Sequence, residues 1–272
     1  MKTSLFLLVF AGYFLSFVLY FMSFELQKES ISHWARRIVS LSLLTHLVFL
    51  LTASFKAGHF AVNNLSEYIQ MVSFLILCVS FVVETRTNVK FLMLFSLPIV
   101  LIFCLFGILL AEQKAVMISA QRSGWLWLHT GFILAGFSSL IIAVSSALMY
   151  LLQSSQLKSK HLGKVFLKLP SLNTLDQLHF VTLAWGVILF SLGMLIGLLW
   201  ARTTQEFKEI LKDPTVLLSS VTCLMYWVVL SFRFSAIRRG HKIAAGTVLV
   251  FALLFLTLMT SNYAPTGFHR GF

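Results

Sequence analysis

Two histidines lie close to tryptophan and phenylalanine at the ends of apolar segments, and their side chains have the chemistry of haem ligands. His129 comes four residues after Trp125 and two after Trp127, and His269 follows Phe268 beyond the last apolar segment. An imidazole nitrogen binds haem iron as an axial ligand, while apolar and aromatic side chains pack against the macrocycle. If both histidines lie on one face of a membrane, they can bind one iron from its two sides. The alternative for each is a hydrogen-bonded histidine of the membrane interface.

The composition is that of a membrane protein. Hydrophobic residues make up 58% of the 272 residues and charged residues only 11%, against roughly a quarter charged in soluble domains. The net charge of +12 comes from Lys and Arg that flank apolar runs. This pattern indicates contact with the lipid bilayer and excludes a nucleic-acid-binding protein. Cys78, Cys104 and Cys223 each lie inside an apolar run, without the spacing of a disulfide, zinc or thiol-redox motif.

Eight apolar segments are long enough, or nearly long enough, to cross a bilayer core that needs roughly 20 residues per helix. They cover residues 3–24, 38–55, 69–83, 90–111, 125–152, 178–200, 215–232 and 242–260. Little sequence is left for a soluble domain. We therefore predict an all-α fold: a polytopic membrane helical bundle of about eight transmembrane helices, in which residues 1–272 form a single membrane-embedded domain.

The distribution of basic residues predicts the orientation of this bundle. With the N-terminus outside, 13 of the 21 Lys and Arg fall in the inner loops and 8 in the outer segments. Positively charged loops stay preferentially on the inner side, so both termini are predicted outside. This orientation places His129 and His269 on the outer face. It also places Trp125 and Trp127 in an aromatic belt beside them, and His59 in the outer loop between helices two and three.

The predicted interior is poor in groups that carry chemistry. No Asp, Glu, Lys or Arg falls within the predicted hydrocarbon core, which argues against an ion-coupled transporter. His46 is the exception, and it is either a neutral imidazole bonded to a neighbouring helix, a haem ligand or part of a proton relay. Neither a nucleotide-binding loop nor a Ser/His/Asp arrangement is present. We therefore do not expect an enzyme.

Four short stretches occur in an order that resembles one membrane-protein family. They are Gly58-His59-Phe60 with Asn64-Leu65 and Glu67; Trp125-Leu126-x-x-His129; Leu169-Pro170-Ser171-Leu172 followed by Gly193 and Gly197; and Arg239-Gly240-x-Lys242 followed by Gly267-Phe268-His269. Over about 58–272 the chain resembles the cytochrome c assembly proteins, which are CcsA-type haem-handling membrane proteins. The resemblance implies a multi-pass protein of a bacterial-type plasma (inner) membrane. It also implies that His129 and His269 ligate haem as cofactor-binding and metal-binding residues, with Trp125, Trp127 and His59 as further cofactor-binding candidates.

The chain departs from that family in its tryptophan-rich loop. Where the family carries Trp-Gly-x-x-Trp-x-Trp-Asp-Pro, only Asp213-Pro214 matches, and Ser231 stands at the position of an expected membrane histidine. These differences resemble a HemX-like branch. The resemblance implies a haem-binding or haem-handling protein related to cytochrome c biogenesis, with haem and a cytochrome c maturation partner as its expected partners. The alternative is a membrane regulator of haem biosynthesis, whose basic inner loops, Lys158–Lys168 and Arg233–Lys242, dock a cytosolic tetrapyrrole-synthesis enzyme such as glutamyl-tRNA reductase.

Overall fold

The fold consists of long helices joined by short connections. The computed structural model describes residues 2–57, 65–87, 89–109, 124–160, 163, 168–204, 212–234 and 240–263. Within these ranges the helices are α1 (Lys2–Leu26), α2 (Glu29–Ala57), α3 (Leu65–Arg86), α4 (Leu92–Leu109), α5 (Gly124–Lys158), α6 (Leu172–Thr204), α7 (Pro214–Ser231) and α8 (His241–Tyr263), with a 3₁₀ turn at Phe232–Phe234 after α7. The described residues contain no strand, which confirms the predicted all-α class.

Helices α1 to α7 are each long and apolar enough to cross a bilayer. The described apolar part of α8 is shorter, His241–Thr257. The protein is thus a multi-pass membrane bundle, as predicted. Leucine, valine, phenylalanine and tryptophan side chains remain exposed along the outside of these helices. An apolar exterior of this kind is stable only against lipid or another apolar surface.

Most helices extend beyond the apolar segments that predicted them. Helix α2 begins at Glu29 rather than near residue 38, and α5 continues to Lys158. Hydropathy marks only the part of a helix that lies in hydrocarbon, whereas backbone hydrogen bonding continues through polar residues at the interface. Helix α3 begins at Leu65, four residues before the predicted third segment.

Local side chains set several helix ends. Asp213 caps α7 by accepting a hydrogen bond from the Thr215 backbone N–H at 2.8 Å, with Pro214 at the first helical position. Helix α6 is capped by Ser171. The helix begins at Leu172, and the Ser171 hydroxyl accepts from the Thr174 N–H at 3.2 Å.

Helix α5 occupies the centre of the bundle. It packs along most of its length against α6 and also contacts α3, α4 and α8. The remaining large contacts join neighbours in sequence: α1 with α2, α3 with α4, and α7 with α8. The N-terminal half, α1–α4, and the C-terminal half, α5–α8, therefore meet mainly at α5, the helix that carries His129.

Candidate functional site

The candidate site lies at one end of the seam where α5 and α6 pack together. The two helices run antiparallel, and positions 140, 136, 133 and 129 on α5 face positions 186, 190, 193 and 197 on α6. One partner in each pair is glycine. A Cβ added at Gly136 would lie 2.6 Å from the Phe190 backbone nitrogen, and one at Gly193 would lie 2.9 Å from that of Ile133. The backbones therefore approach as closely as the absence of side chains permits.

His129 ends this series of contacts. Its Nδ1 lies 2.7 Å from the backbone oxygen of Gly193, and its ring is half-buried. A carbonyl oxygen only accepts hydrogen bonds, so Nδ1 must carry the proton and donate it. In the neutral imidazole, Nε2 then carries the lone pair. This is the arrangement found in metal-ligating histidines, whose other ring nitrogen donates to a carbonyl or carboxylate that fixes the tautomer and the ring orientation.

The Gly193 backbone oxygen can accept a second hydrogen bond, in addition to the one within its helix. Its carbonyl already serves the α6 backbone ladder, and a carbonyl oxygen has a second lone pair for another donor. His129 reaches that oxygen because Gly197, one turn further along α6, has no side chain in the way. A Cβ at Gly197 would lie 2.5 Å from Nδ1 and 2.6 Å from Cε1 of the His129 ring.

The two predicted tryptophans lie in the first turn of α5, before His129. Trp125 precedes His129 by four residues, so the two lie on one side of the helix, whereas Trp127 lies on a different side. Both indoles are exposed, Trp125 by 54% and Trp127 by 42%, while Trp200 on α6 is buried. Trp125 is therefore the tryptophan placed to pack against a ligand bound by His129.

Two predicted site residues, His59 and His269, lie outside the described residues. The structure therefore positions three of the five candidates, His129, Trp125 and Trp127. Among the described residues, no group of three or more His, Cys, Asp or Glu is arranged to hold a metal ion. Of the predicted pair of axial histidines, the described residues therefore contain only His129.

The other buried histidines bond to neighbouring helices. His46 on α2 is fully buried, and its Nδ1 lies 2.9 Å from the Tyr13 hydroxyl on α1. His179 on α6 is also buried, and its Nε2 lies 2.9 Å from the Thr247 hydroxyl on α8. The hydrogen-bonded alternative for His46 thus has direct structural support. His179, like His46, thus packs inside the bundle.

Glu84 is a buried carboxylate that the sequence prediction missed. It lies in the last turns of α3, is 7% exposed, and accepts hydrogen bonds from the Tyr20 hydroxyl at 2.8 Å and the Met93 N–H at 2.9 Å. The Arg36 Nε lies 3.8 Å from it. Glu84 lies one residue beyond the predicted third segment, which ended at residue 83. Because its three partners lie on the other three helices of this half, Glu84 links α1, α2, α3 and α4.

Two basic residues of the predicted inner docking surface are used inside the protein. The Lys168 ammonium is buried and donates to the backbone oxygens of Phe24 and Glu25 at the end of α1. Arg233 pairs with Asp176 at 2.5 Å and lies over the Phe180 ring. These contacts take both cations away from a surface that would bind a cytosolic protein.

Comparison with known proteins agrees with this architecture. The family model for the cytochrome C assembly protein matches residues 2–269. The chain belongs to the cytochrome c assembly protein family. It is 25% identical over 248 residues to the Guillardia theta "Cytochrome c biogenesis protein CcsA", which covers 84% of this chain and 82% of that protein.

Proteins with a second name match over a similar length. The Bacillus subtilis (strain 168) "Protein HemX" is 25% identical over 248 residues, covering 90% of this chain and 89% of that protein. A Brevibacillus brevis "Protein HemX" is 22% identical over 258 residues and covers 94% of each chain. The resemblance to this family drawn from four short motifs is therefore confirmed. The family links this membrane protein to cytochrome c biogenesis.

Proposed function

We propose that this protein binds haem at the outer end of the α5–α6 seam, with His129 and His269 as the axial ligands. The observation that carries the proposal is the 2.7 Å contact between His129 Nδ1 and the Gly193 oxygen. That contact directs the proton to Nδ1 and the lone pair to Nε2, the nitrogen that an iron needs. Metal-ligating histidines are commonly held in this way through their other ring nitrogen.

Each residue of the site has a binding role in this proposal. His129 Nε2 is the first ligand, and the Gly193 oxygen holds its ring. Trp125, on the same side of α5, covers an apolar face with its indole. Haem, when bound, supplies an iron with two axial positions and a flat apolar macrocycle. His269 supplies the second nitrogen from the segment after α8, which follows the described residues.

The protein is proposed to bind, orient and protect haem without changing it chemically. We place the site on the outer side of a bacterial-type plasma membrane, on the strength of the 13 to 8 distribution of Lys and Arg. A cytochrome c maturation partner on that side is the proposed recipient, because relatives carry the name cytochrome c biogenesis protein. The docking of a cytosolic enzyme is not proposed, since Lys168 and Arg233 have internal partners.

An absorption spectrum of the purified protein tests the proposal. Full-length protein reconstituted with haem in detergent should show a Soret band at one haem per chain, and His129→Ala with His269→Ala should remove it. His241→Ala is the matched control, because His241 is an exposed imidazole at the opposite end of the bundle. A wild-type chain without a Soret band, or a double variant that retains it in full, would overturn the proposal.

A further inference from the structure

Gly197 differs from the other glycines of the α5–α6 seam in what it faces. A Cβ at Gly186 would meet the Leu140 side chain at 2.8 Å, and one at Gly193 would meet Ile133. At Gly197 the nearest atoms all belong to the imidazole of His129. The same absence of a side chain therefore serves helix packing at the first two positions and makes room for a functional ring at the third.

A side chain at position 197 would collide with the His129 ring. Contacts below 3.0 Å force something to shift, and here the distances to Nδ1 and Cε1 are 2.5 and 2.6 Å. The colliding atoms belong to a side chain, which can rotate about its own χ angles, whereas separation of the helices would break the close contacts of Gly136 with Phe190 and of Gly193 with Ile133. We therefore expect the ring to turn away from α6 and away from the Gly193 oxygen.

We infer that Gly197 is a positioning residue, which keeps the His129 imidazole against α6 so that Nδ1 donates to Gly193 and Nε2 is the nitrogen offered to a ligand. This inference rests on the proposed function only for the identity of that ligand. The tautomer and the ring orientation are properties of the protein without haem. Loss of the hydrogen bond frees the ring to rotate and to exchange its proton between the two nitrogens.

The first test therefore uses haem-free, full-length protein labelled with ¹⁵N in its histidines. The His129 signals are assigned by comparison with His129→Gln. In the wild type, Nδ1 should carry the proton and Nε2 should show the shift of an unprotonated nitrogen. Gly197→Ala should lose this single tautomer. An unprotonated Nδ1 in the wild type would by itself overturn the inference. The inference can therefore be tested even if the Gly197→Ala variant fails to fold.

The second test measures haem. Removal of a group that orients a metal-binding histidine typically lowers metal affinity by about 10- to 100-fold, and Gly197→Ala should lower haem affinity by that factor. It should also shift the low-spin ferric electron paramagnetic resonance signal, which reports the orientation of the axial imidazole. Gly186→Ala is the matched control, since its Cβ meets Leu140 at 2.8 Å in the same seam.

The outcomes separate this inference from the proposed function. Equal effects of Gly197→Ala and Gly186→Ala on the tautomer and on haem would show a packing role only and overturn the inference. A wild-type tautomer in Gly197→Ala would overturn it as well. If the wild type binds no haem but holds His129 in the single tautomer that Gly197→Ala abolishes, the positioning role stands and the haem proposal fails.

Discussion

His129 and His46 are both imidazoles inside membrane helices, and their hydrogen-bond partners give them different properties. His46 contacts the Tyr13 hydroxyl at 2.9 Å, and a hydroxyl can donate or accept. His129 contacts the Gly193 backbone oxygen at 2.7 Å, and that oxygen can only accept. The tautomer of His129 is therefore set by its partner, whereas that of His46 is not.

The two rings also differ in how far their surroundings bury them. His46 is fully buried and lies within 6.1 Å, centroid to centroid, of Phe49 and within 5.6 Å of Phe74. His129 is half-buried at the end of α5, next to an exposed Trp125. A ligand can reach His129 without opening the bundle, whereas it cannot reach His46. A buried histidine in a membrane helix is thus not by itself a site.

The comparison extends to the two halves of the bundle. In α1–α4 polar side chains bond to one another, as in Tyr20 with Glu84 and Tyr13 with His46. In the α5–α6 pair, glycines let the backbones approach, and one of those glycines supplies the oxygen that holds His129. Side-chain pairs join helices in both halves, and the α5–α6 pair adds a close backbone contact that holds a ring.

The largest expected effect separates the two histidines directly. His129→Ala should reduce the haem content of the purified protein by at least tenfold, because an axial nitrogen is lost. His46→Gln should leave the Soret band at its wild-type position and intensity. Both variants should be compared at equal protein concentration after size-exclusion chromatography. Loss of haem in His46→Gln with retention in His129→Ala would reverse the assignment.

Removal of the Glu84 carboxylate should have the next largest effect, on stability. Glu84→Ala leaves the Tyr20 hydroxyl, the Met93 N–H and Arg36 without their acceptor, and we expect a loss of about 3 kcal/mol in the free energy of unfolding. Chemical unfolding in detergent, followed by tryptophan fluorescence, measures it. Glu29→Ala is the control, because its ion pair with Lys90 is largely exposed, and such pairs contribute about 0–1 kcal/mol. Equal losses in both variants would show that the buried contacts of Glu84 contribute no more to stability than an exposed ion pair does.

The ion pair near the start of α6 should contribute less. Asp176 and Arg233 retain 22% and 26% of their side-chain exposure, so water screens their attraction. Asp176→Asn should therefore lower the free energy of unfolding by about 0.5–1 kcal/mol and leave the haem spectrum unchanged. The same unfolding assay detects it. A change in the Soret band would show that the inner end of the seam is coupled to the outer end.

Specific residues show how far the sequence predicted this structure and where it stopped. Apolar runs located all eight helices, because the hydropathy of about 20 consecutive residues is a local property. The helix ends at Glu29 and Leu172 were missed, since a helix continues into polar sequence for as long as its backbone bonds are satisfied.

Glu84 shows the limit most clearly. It directly follows the predicted third segment, and a carboxylate in that position reads as a solvated residue at the interface. Its partners Tyr20, Arg36 and Met93 come from three other segments. No sequence pattern within α3 predicts contacts with residues that far away along the chain.

The sequence by itself determined that the chain is a multi-pass helical membrane protein of the cytochrome c assembly family, and it singled out His129 as a candidate ligand. These conclusions depend on runs and motifs of neighbouring residues. Only the tertiary structure decided which nitrogen of His129 carries the lone pair, because that depends on an oxygen 64 positions away in the chain. It likewise decided that Gly197, and not a side chain, makes room for the ring. Packing between distant segments determines both, and local sequence patterns do not record it.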